Sequence, residues 1–281
     1  EDIVEFYTGD YQIVNVPFTR GMIGYHGRDL PDDHVDLVRA LAGALELGYL
    51  RYFDLQAAEQ RTRDAEIERS LERVRTAIAA MQDSSGILGL VDTIRAELAN
   101  LGAVADDRFG INTIDPTTQC IVVRTGIARG SHERIIPQAE EMSPESLFGE
   151  WRRRLSPGVH WHRRLTVDEE IHSRTIEARR LGNVLPSDWE RHVRARGDTD
   201  VLDLYFEQGS LAVSRTTGPY TDDEIALLRR FTDVFALGYR RHLDLTEAEA
   251  RTRQADIDLS VERVRATSMA MNDTDDLPSV V

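Results

Sequence analysis

Lysine is absent from this chain: all 34 of its basic residues are arginine. Genome composition accounts for such a bias as readily as function does, so no activity is read from it. Cysteine is nearly absent as well. With Cys120 alone, no disulfide can close within the chain, which fits a reducing, cytoplasmic compartment. No apolar run reaches the roughly 18 residues that a bilayer span needs, so no segment is expected to cross a membrane. The opening Glu1-Asp2-Ile3-Val4 has neither a basic n-region nor an apolar h-region, so it is expected to be no signal peptide and reads as a cut through a domain.

Positive charge is also short. There are 49 acidic side chains against 34 basic ones, for a net charge of −15. A field of that sign repels phosphate backbones and anionic lipid, which argues against nucleic-acid or membrane-surface binding. The clusters Arg152-Arg153-Arg154 and Arg163-Arg164 are candidate anion sites, although salt-bridged surface is the favoured reading. Catalytic signatures are missing too: there is no Gly-rich phosphate loop, nucleophile elbow, His-Glu-x-x-His or kinase motif. Asp168-Glu169 and Glu140-Glu141 read as solvated charges. No catalytic residue is assigned, and the segment is not expected to be an enzyme.

What the chain does have is an internal repeat at an offset of 190 residues. Residues 47–83 match 237–273 at 21 of 37 positions, including Leu47-Gly48-Tyr49 with Leu237-Gly238-Tyr239 and Glu72-Arg73-Val74-Arg75 with Glu262-Arg263-Val264-Arg265. Both copies lack Pro and are rich in Ala, Leu, Glu, Arg and Gln, which predicts helix. Thr221-Asp222-Asp223-Glu224 forms a capping box, in which the Thr hydroxyl and the Glu carboxylate serve orphan backbone N–H groups. A helix from there to Asn272 would run roughly 50 residues, or about 75 Å.

Ile67, Leu71, Val74, Ile78 and Met81 are spaced 4, 3, 4 and 3 residues apart, and Ile257, Val261, Val264, Ser268 and Met271 repeat that spacing. This is the a/d seam of a coiled coil, about two heptads per copy, and it predicts a parallel homodimer. The other reading is an amphipathic helix folded back on its own domain. Upstream lies an offset row, Leu55, Ala58, Thr62 and Ala65, matched by Leu245, Ala248, Thr252 and Ala255. The change of row implies a stutter, where the supercoil unwinds locally.

Residues 84–220 carry a mixed pattern. Ile87, Leu90, Val91, Ile94, Leu98 and Leu101 mark a helix. Arg108–Ile114 and Gln119–Ile127 read as strands joined at Asp115-Pro116-Thr117-Thr118, and Glu133–Pro137 as a shorter strand. Ser143-Pro144-Glu145 opens a helix through Leu155, and Val159–Leu165 is strand-like. Helices are expected over 167–181 and 186–196, then a hairpin of Val201–Phe206 and Ser210–Arg215. The fold class is therefore α+β: an antiparallel sheet of about six strands, helices on both faces, and long coiled-coil helices at the flanks. Near the start, Ile3–Tyr7 and Tyr11–Val16 around Thr8-Gly9-Asp10 look like that last hairpin.

This arrangement resembles a GAF domain. Arg240-Arg241-His242-Leu243-Asp244-Leu245-Thr246-Glu247-Ala248-Glu249-Ala250 and Val261-Glu262-Arg263-Val264-Arg265-Ala266-Thr267-Ser268-Met269-Ala270-Met271 resemble the linkers of multi-domain bacterial signalling proteins, in which degenerate GAF domains alternate with signalling helices. The resemblance implies a sensor of the two-component type with a catalytic domain downstream in cis, a histidine kinase before a nucleotide cyclase. It divides the chain into the tail of a preceding GAF-like domain (1–46), a signalling helix (47–83), a GAF-like domain (84–236), a second signalling helix (237–273) and the start of a further region (274–281). The expected function is to couple a small-molecule or domain signal through helix packing; the alternative is a ligand-free dimerisation scaffold.

The GAF-like fold would place a pocket between the sheet and the crossover helices, with Trp161, Tyr205 and Trp189 as aromatics and Arg163 or Arg124 as polar partners. The same residues serve equally as core. No cofactor is named by the sequence. His160 and His162 share a strand face, yet with His172 or Glu169 they lack metal-ligand spacing, so no metal is assigned. Cys120 reads as small hydrophobic filler within a strand; its surroundings do not look like those of bilin-binding GAF domains. The Asn-Lys signature of GAF domains that bind cyclic nucleotides cannot occur without lysine.

Overall fold

The structure, a computed structural model, describes residues 12–28, 31–104, 108–127, 130–136, 147–181 and 184–269. By packing, the chain divides into Glu1–Ile67 and Glu68–Val281.

In the first unit, β1 (Gln12–Phe18) pairs antiparallel with β2 (Gly21–Gly27) and is followed by helix α1 (Asp32–Ala80). The strand that begins near Tyr11 therefore pairs with the segment after it; Ile3–Tyr7, Met271 and residues 274–281 lie outside the described residues. Gly21, Gly24 and Gly27 hide β2 from sequence reading, because glycine is depleted in strands. Phe18 stacks on Tyr49 and Tyr49 on Phe53, with ring centroids 5.7 and 6.3 Å apart. The Arg20 guanidinium lies 4.6 Å from the Phe53 ring centre. Leu37, Leu41 and Leu45 are exposed.

The second unit contains a six-stranded sheet in the order β5-β4-β3-β8-β7-β6, antiparallel throughout. Its strands are β3 (Arg108–Ile114), β4 (Ile121–Ile127), β5 (Gly130–Ile136), β6 (His160–Leu165), β7 (Thr199–Phe206) and β8 (Gly209–Arg215). Its helices are α2 (Ile87–Asn100), α3 (Leu147–Arg154), α4 (Val167–Leu181), α5 (Trp189–Arg196) and α6 (Asp222–Met269). The N-cap expected at Ser143-Pro144-Glu145, and Pro137, fall outside the described residues.

Alternation along each strand sorts side chains onto two faces. One face carries Phe109, Ile111, Leu202, Leu204, Phe206, Leu211 and Val213, all buried, and packs against α2 and α6. Phe206 meets Phe235 of α6 edge-on, with centroids 5.6 Å apart. Leu227, Phe231, Phe235 and Tyr239 form the buried stripe of α6. At the repeat offset these are Leu37, Leu41, Leu45 and Tyr49, which are exposed in the first unit. The opposite face holds Ile114, Ile121, Val123, Ile136 and Tyr205 under Trp151 and Phe148 of the α3 segment. β8 runs so close to β3 that a Cβ on Gly209 would sit 1.9 Å from the Asn112 carbonyl oxygen, so only glycine fits.

Local chemistry sets the boundaries. Thr221 N–H donates to Glu224 Oε2 at 2.7 Å and Glu224 N–H to Thr221 Oγ1 at 3.3 Å, the reciprocal capping box that opens α6. Thr166 and Glu169 repeat the device before α4, at 2.8 and 3.3 Å. The Asp115 carboxylate accepts the Thr117 and Thr118 N–H groups, and Gln119 takes φ 58°, so β4 starts at Ile121, not at Gln119. Cys120 thus sits in the turn. Its thiol donates weakly to the Thr118 carbonyl, 3.7 Å away.

The two copies of the repeated helix stand in different surroundings. Ile67, Leu71, Val74 and Met81 are 8, 2, 0 and 6% exposed, whereas Ile257, Val261 and Val264 are 50, 43 and 49% exposed. Ile78 packs where α6 is narrowest, since a Cβ on Gly238 would come within 2.9 Å of it. Arg73 grips Glu97 of α2 through two 2.6 Å hydrogen bonds. From α6, Arg241 donates to the Met81 carbonyl at 2.7 Å, and Glu249 accepts the Ser84 N–H and hydroxyl at 2.8 and 2.7 Å. Leu71, Val74, Ile78 and Met81 are therefore used within this chain's own helix layer, the folded-back arrangement. A seam buried there is not free to face a second copy. Ser268 is exposed.

Candidate functional site

On the sheet face away from α2 and α6, two hollows open beneath the crossover helices. The first, about 430 Å³, lies between β6, α3 and α4 and is lined by Trp161, Arg163, Arg154, Glu150, Glu169 and His172 among others. Strand alternation explains the set: Trp161, Arg163 and Leu165 turn inward, while His160, His162 and Arg164 are exposed. The Trp161 ring has two guanidinium groups over it, Arg154 at 4.6 Å and Arg163 at 4.7 Å from its centre. Arg154 also donates to Glu150 at 3.1 Å. Arg163 differs: its Nε is buried with no hydrogen-bond partner among the described residues. Burial lowers its pKa, and the charges of Asp203, Glu150 and Glu169 act against that.

Asp203 pairs across the β6–β7 ladder with Trp161 and is wholly buried. Burial raises its carboxyl to about 6, opposed by a hydrogen bond from the Ser210 hydroxyl at 2.8 Å and by the Arg163 charge. Trp151 Nε1–H in turn donates to Ser210 Oγ at 2.8 Å. An inward Asp in a strand otherwise rich in Val, Leu, Tyr and Phe was the sequence signal for this group, and it was missed.

The second hollow, about 660 Å³, lies where β3, β4 and β5 face α4 and α5, and its lining includes Arg108, Arg134, Arg174, Arg196, Glu170 and Trp189. Glu170, 3% exposed, stands 3.3 Å from Arg108 and 3.0 Å from Arg174, and accepts a very short hydrogen bond from Arg196. Burial pushes the Arg108 pKa down, Glu170 pulls it up, and the Arg174 charge lowers it again. A longer furrow, about 1050 Å³, runs along Phe53–Glu66 but is lined by a single helix and encloses nothing.

The five pocket residues expected from the sequence are thus dispersed. Trp161 and Arg163 share the first hollow and Trp189 lines the second. Tyr205 is core, 1% exposed, with its ring 6.1 Å from Trp151. Arg124 points to the other face, where it donates to Thr113 Oγ1 at 2.8 Å, pairs with Glu133 at 2.9 Å and lies 5.9 Å from the Tyr239 ring. It is occupied as a helix-layer staple. The arginine cage was not foreseen, because its members come from β3, β5, α4 and α5.

His162 contacts Asp200 at 3.2 Å, and no group of three or more metal-ligating side chains converges among the described residues. No described helix is long and apolar enough to cross a membrane.

No family model matches the chain, and no curated protein matches it. Among solved structures, one similar chain is the phycoerythrobilin-bound GAF domain from a cyanobacterial phytochrome. It is 14% identical, with a TM-score of 0.33, over 64% of this chain and 95% of that one. At that overlap the likeness adds nothing to the fold as read from strand order.

Proposed function

We propose that this chain is a sensory and relay segment of a bacterial, cytoplasmic signal-transduction protein. Its GAF-like second unit takes up a small molecule, or a change in a neighbouring domain, and the repeated helices carry the change to an output module in the same polypeptide. A histidine kinase of the two-component type is our first choice for that module and a nucleotide cyclase the second. The reading rests on one observation: the row Leu71, Val74 and Met81 at the end of α1 is packed into the helix layer of the second unit, where Arg241 of α6 holds the Met81 carbonyl. A helix row packed in this way can slide or rotate against its neighbours, which is the two-state element a relay needs. A ligand shifts such an element only by binding its two packings with different affinity. The hollow at Trp161 supports uptake, since the buried Arg163 Nε has no protein acceptor among the described residues and Trp161 offers a flat wall.

The bare row Ile257, Val261 and Val264 also supports a parallel homodimer through α6, and with it the second reading, a ligand-free dimerisation scaffold. The two separate in one experiment. A metabolite library is screened by tryptophan emission, with Trp161→Phe and Arg163→Gln as controls, and amide exchange is followed over residues 240–265. Uptake with relay predicts a compound that needs Arg163 and changes protection in α6 several-fold. A compound that binds while exchange in α6 stays fixed overturns the relay, and a dimer that binds nothing selects the scaffold.

A further inference from the structure

We propose that the arginine cage around Glu170 is a second ligand site, distinct from the Trp161 hollow, and that it takes a small phosphorylated molecule. The inference comes from counting charge. Arg108, Arg174 and Arg196 converge on the Glu170 carboxylate, and the hollow as a whole is lined by four arginines, with Arg134, against two carboxylates, Glu170 and Asp188, which leaves two positive charges over. Glu170 is buried, while Arg108, Arg174 and Arg196 are 40, 43 and 29% exposed and so within reach of a ligand, and the protein as a whole carries −15. A hollow with a local positive field inside an acidic molecule selects anions and draws them in from solution.

The geometry favours a dianion. Glu170 presents two oxygens to three guanidinium groups, each of which carries five N–H donors, so Glu170 alone cannot satisfy them all. Arg196 Nε is buried with no hydrogen-bond partner among the described residues. A phosphate monoester carries about −1.5 to −2 charges at neutral pH and three acceptor oxygens, which matches the surplus and the planar donor forks. Trp189, at the start of α5, gives the same hollow an aromatic wall for the organic part of the ligand. Because the cage joins β3 to α4 and α5, occupation would tie both crossover helices to the sheet.

The test uses the whole chain and inorganic phosphate, then pyrophosphate, as probes, read by calorimetry and tryptophan emission against chloride at equal ionic strength. Saturable binding is expected, weakening as salt rises. Arg174→Gln and Arg196→Gln should each weaken it about tenfold or more. Arg134→Gln, at the β5 wall of the hollow, should weaken it with the fold intact by circular dichroism. The exposed Arg251→Gln and the other-hollow variant Trp161→Phe should leave it unchanged. Phosphate acting no differently from chloride, affinity retained in all three cage variants, or an equal loss in Trp161→Phe overturns the proposal. None of these results bears on the helix relay.

Discussion

Gly48 and Gly238 occupy the same position of the repeat, and the structure predicts opposite signs for the same substitution. Alanine in place of glycine inside a helix ordinarily gains about 1 kcal/mol. At Gly48 a new Cβ meets no atom within 4 Å, so Gly48→Ala should realise that gain in full. At Gly238 it would lie 2.6 Å from Leu90 Cδ2 and 2.9 Å from Ile78 Cγ1. Both neighbours must retreat, and Leu90 is 2% exposed, with little room to do so. Overpacking of this kind costs about 1–3 kcal/mol. Net of the propensity gain, Gly238→Ala should destabilise by about 1 kcal/mol, so the pair should differ by about 2. Urea unfolding followed by tryptophan emission isolates the α+β unit, because Trp151, Trp161 and Trp189 all lie within it; circular dichroism reports Gly48. Ile78→Val should recover part of the Gly238→Ala loss, since contacting sites couple. An emission midpoint that rises in Gly238→Ala would refute the close approach of α6 to α2 and the end of α1.

Three further outcomes follow from charge and burial. Burial pushes the Asp203 carboxyl up from its ordinary 3.8 to about 6, so the folded state binds its proton more tightly and stability falls as pH rises from 3.8 through about 6. Asp203→Asn should therefore stabilise at neutral pH by about 1–3 kcal/mol and flatten the pH dependence of urea midpoints in that window. Glu224 runs the other way: hydrogen bonds from Arg215 lower it to about 2, so its contribution is present above pH 4.5 and is lost as pH falls towards 2. Glu224→Gln should cost about 1–2 kcal/mol at neutral pH and almost nothing in strong acid. Val74→Asp, at 0% exposure, should cost more than about 3 kcal/mol in thermal melts, while Val264→Asp, at 49%, should cost less than about 0.5 at dilutions where the chain is monomeric.

Much of the fold was legible because its signals are local. The apolar spacing from Ile87 to Leu98 is α2, the Thr221–Glu224 box starts α6 where it was read, and the runs Arg108–Ile114 and Val201–Phe206 are strands. Errors cluster where glycine or a side chain's own hydrogen bonds override the pattern, as at Gly21–Gly27 and at Asp115–Cys120. The 3–4 spacing at Ile67–Met81 was plain, but spacing says only that a stripe is buried, not what covers it. Pocket residues were the least legible. Trp161 and Arg163 are two apart on one strand and share a face, so strand period sufficed for them. Arg124 went to the wrong face because its exposure depends on the neighbouring strands, and Glu170 acquired three arginines through long-range closure that no local window contains.

The sheet order has a mechanical consequence. β3 and β8 are the first and last strands of the unit, yet they lie side by side in the middle, with Arg108, where β3 begins, opposite Ser214, near where β8 ends. Tension applied through the helices that lead in and out would meet the ties of Arg241 to Met81 and of Glu249 to Ser84 first, and once these part it would reach that ladder at one end, not along its length. Its hydrogen bonds would then part in succession like a zip, under far less force than a sheared pair of the same length withstands.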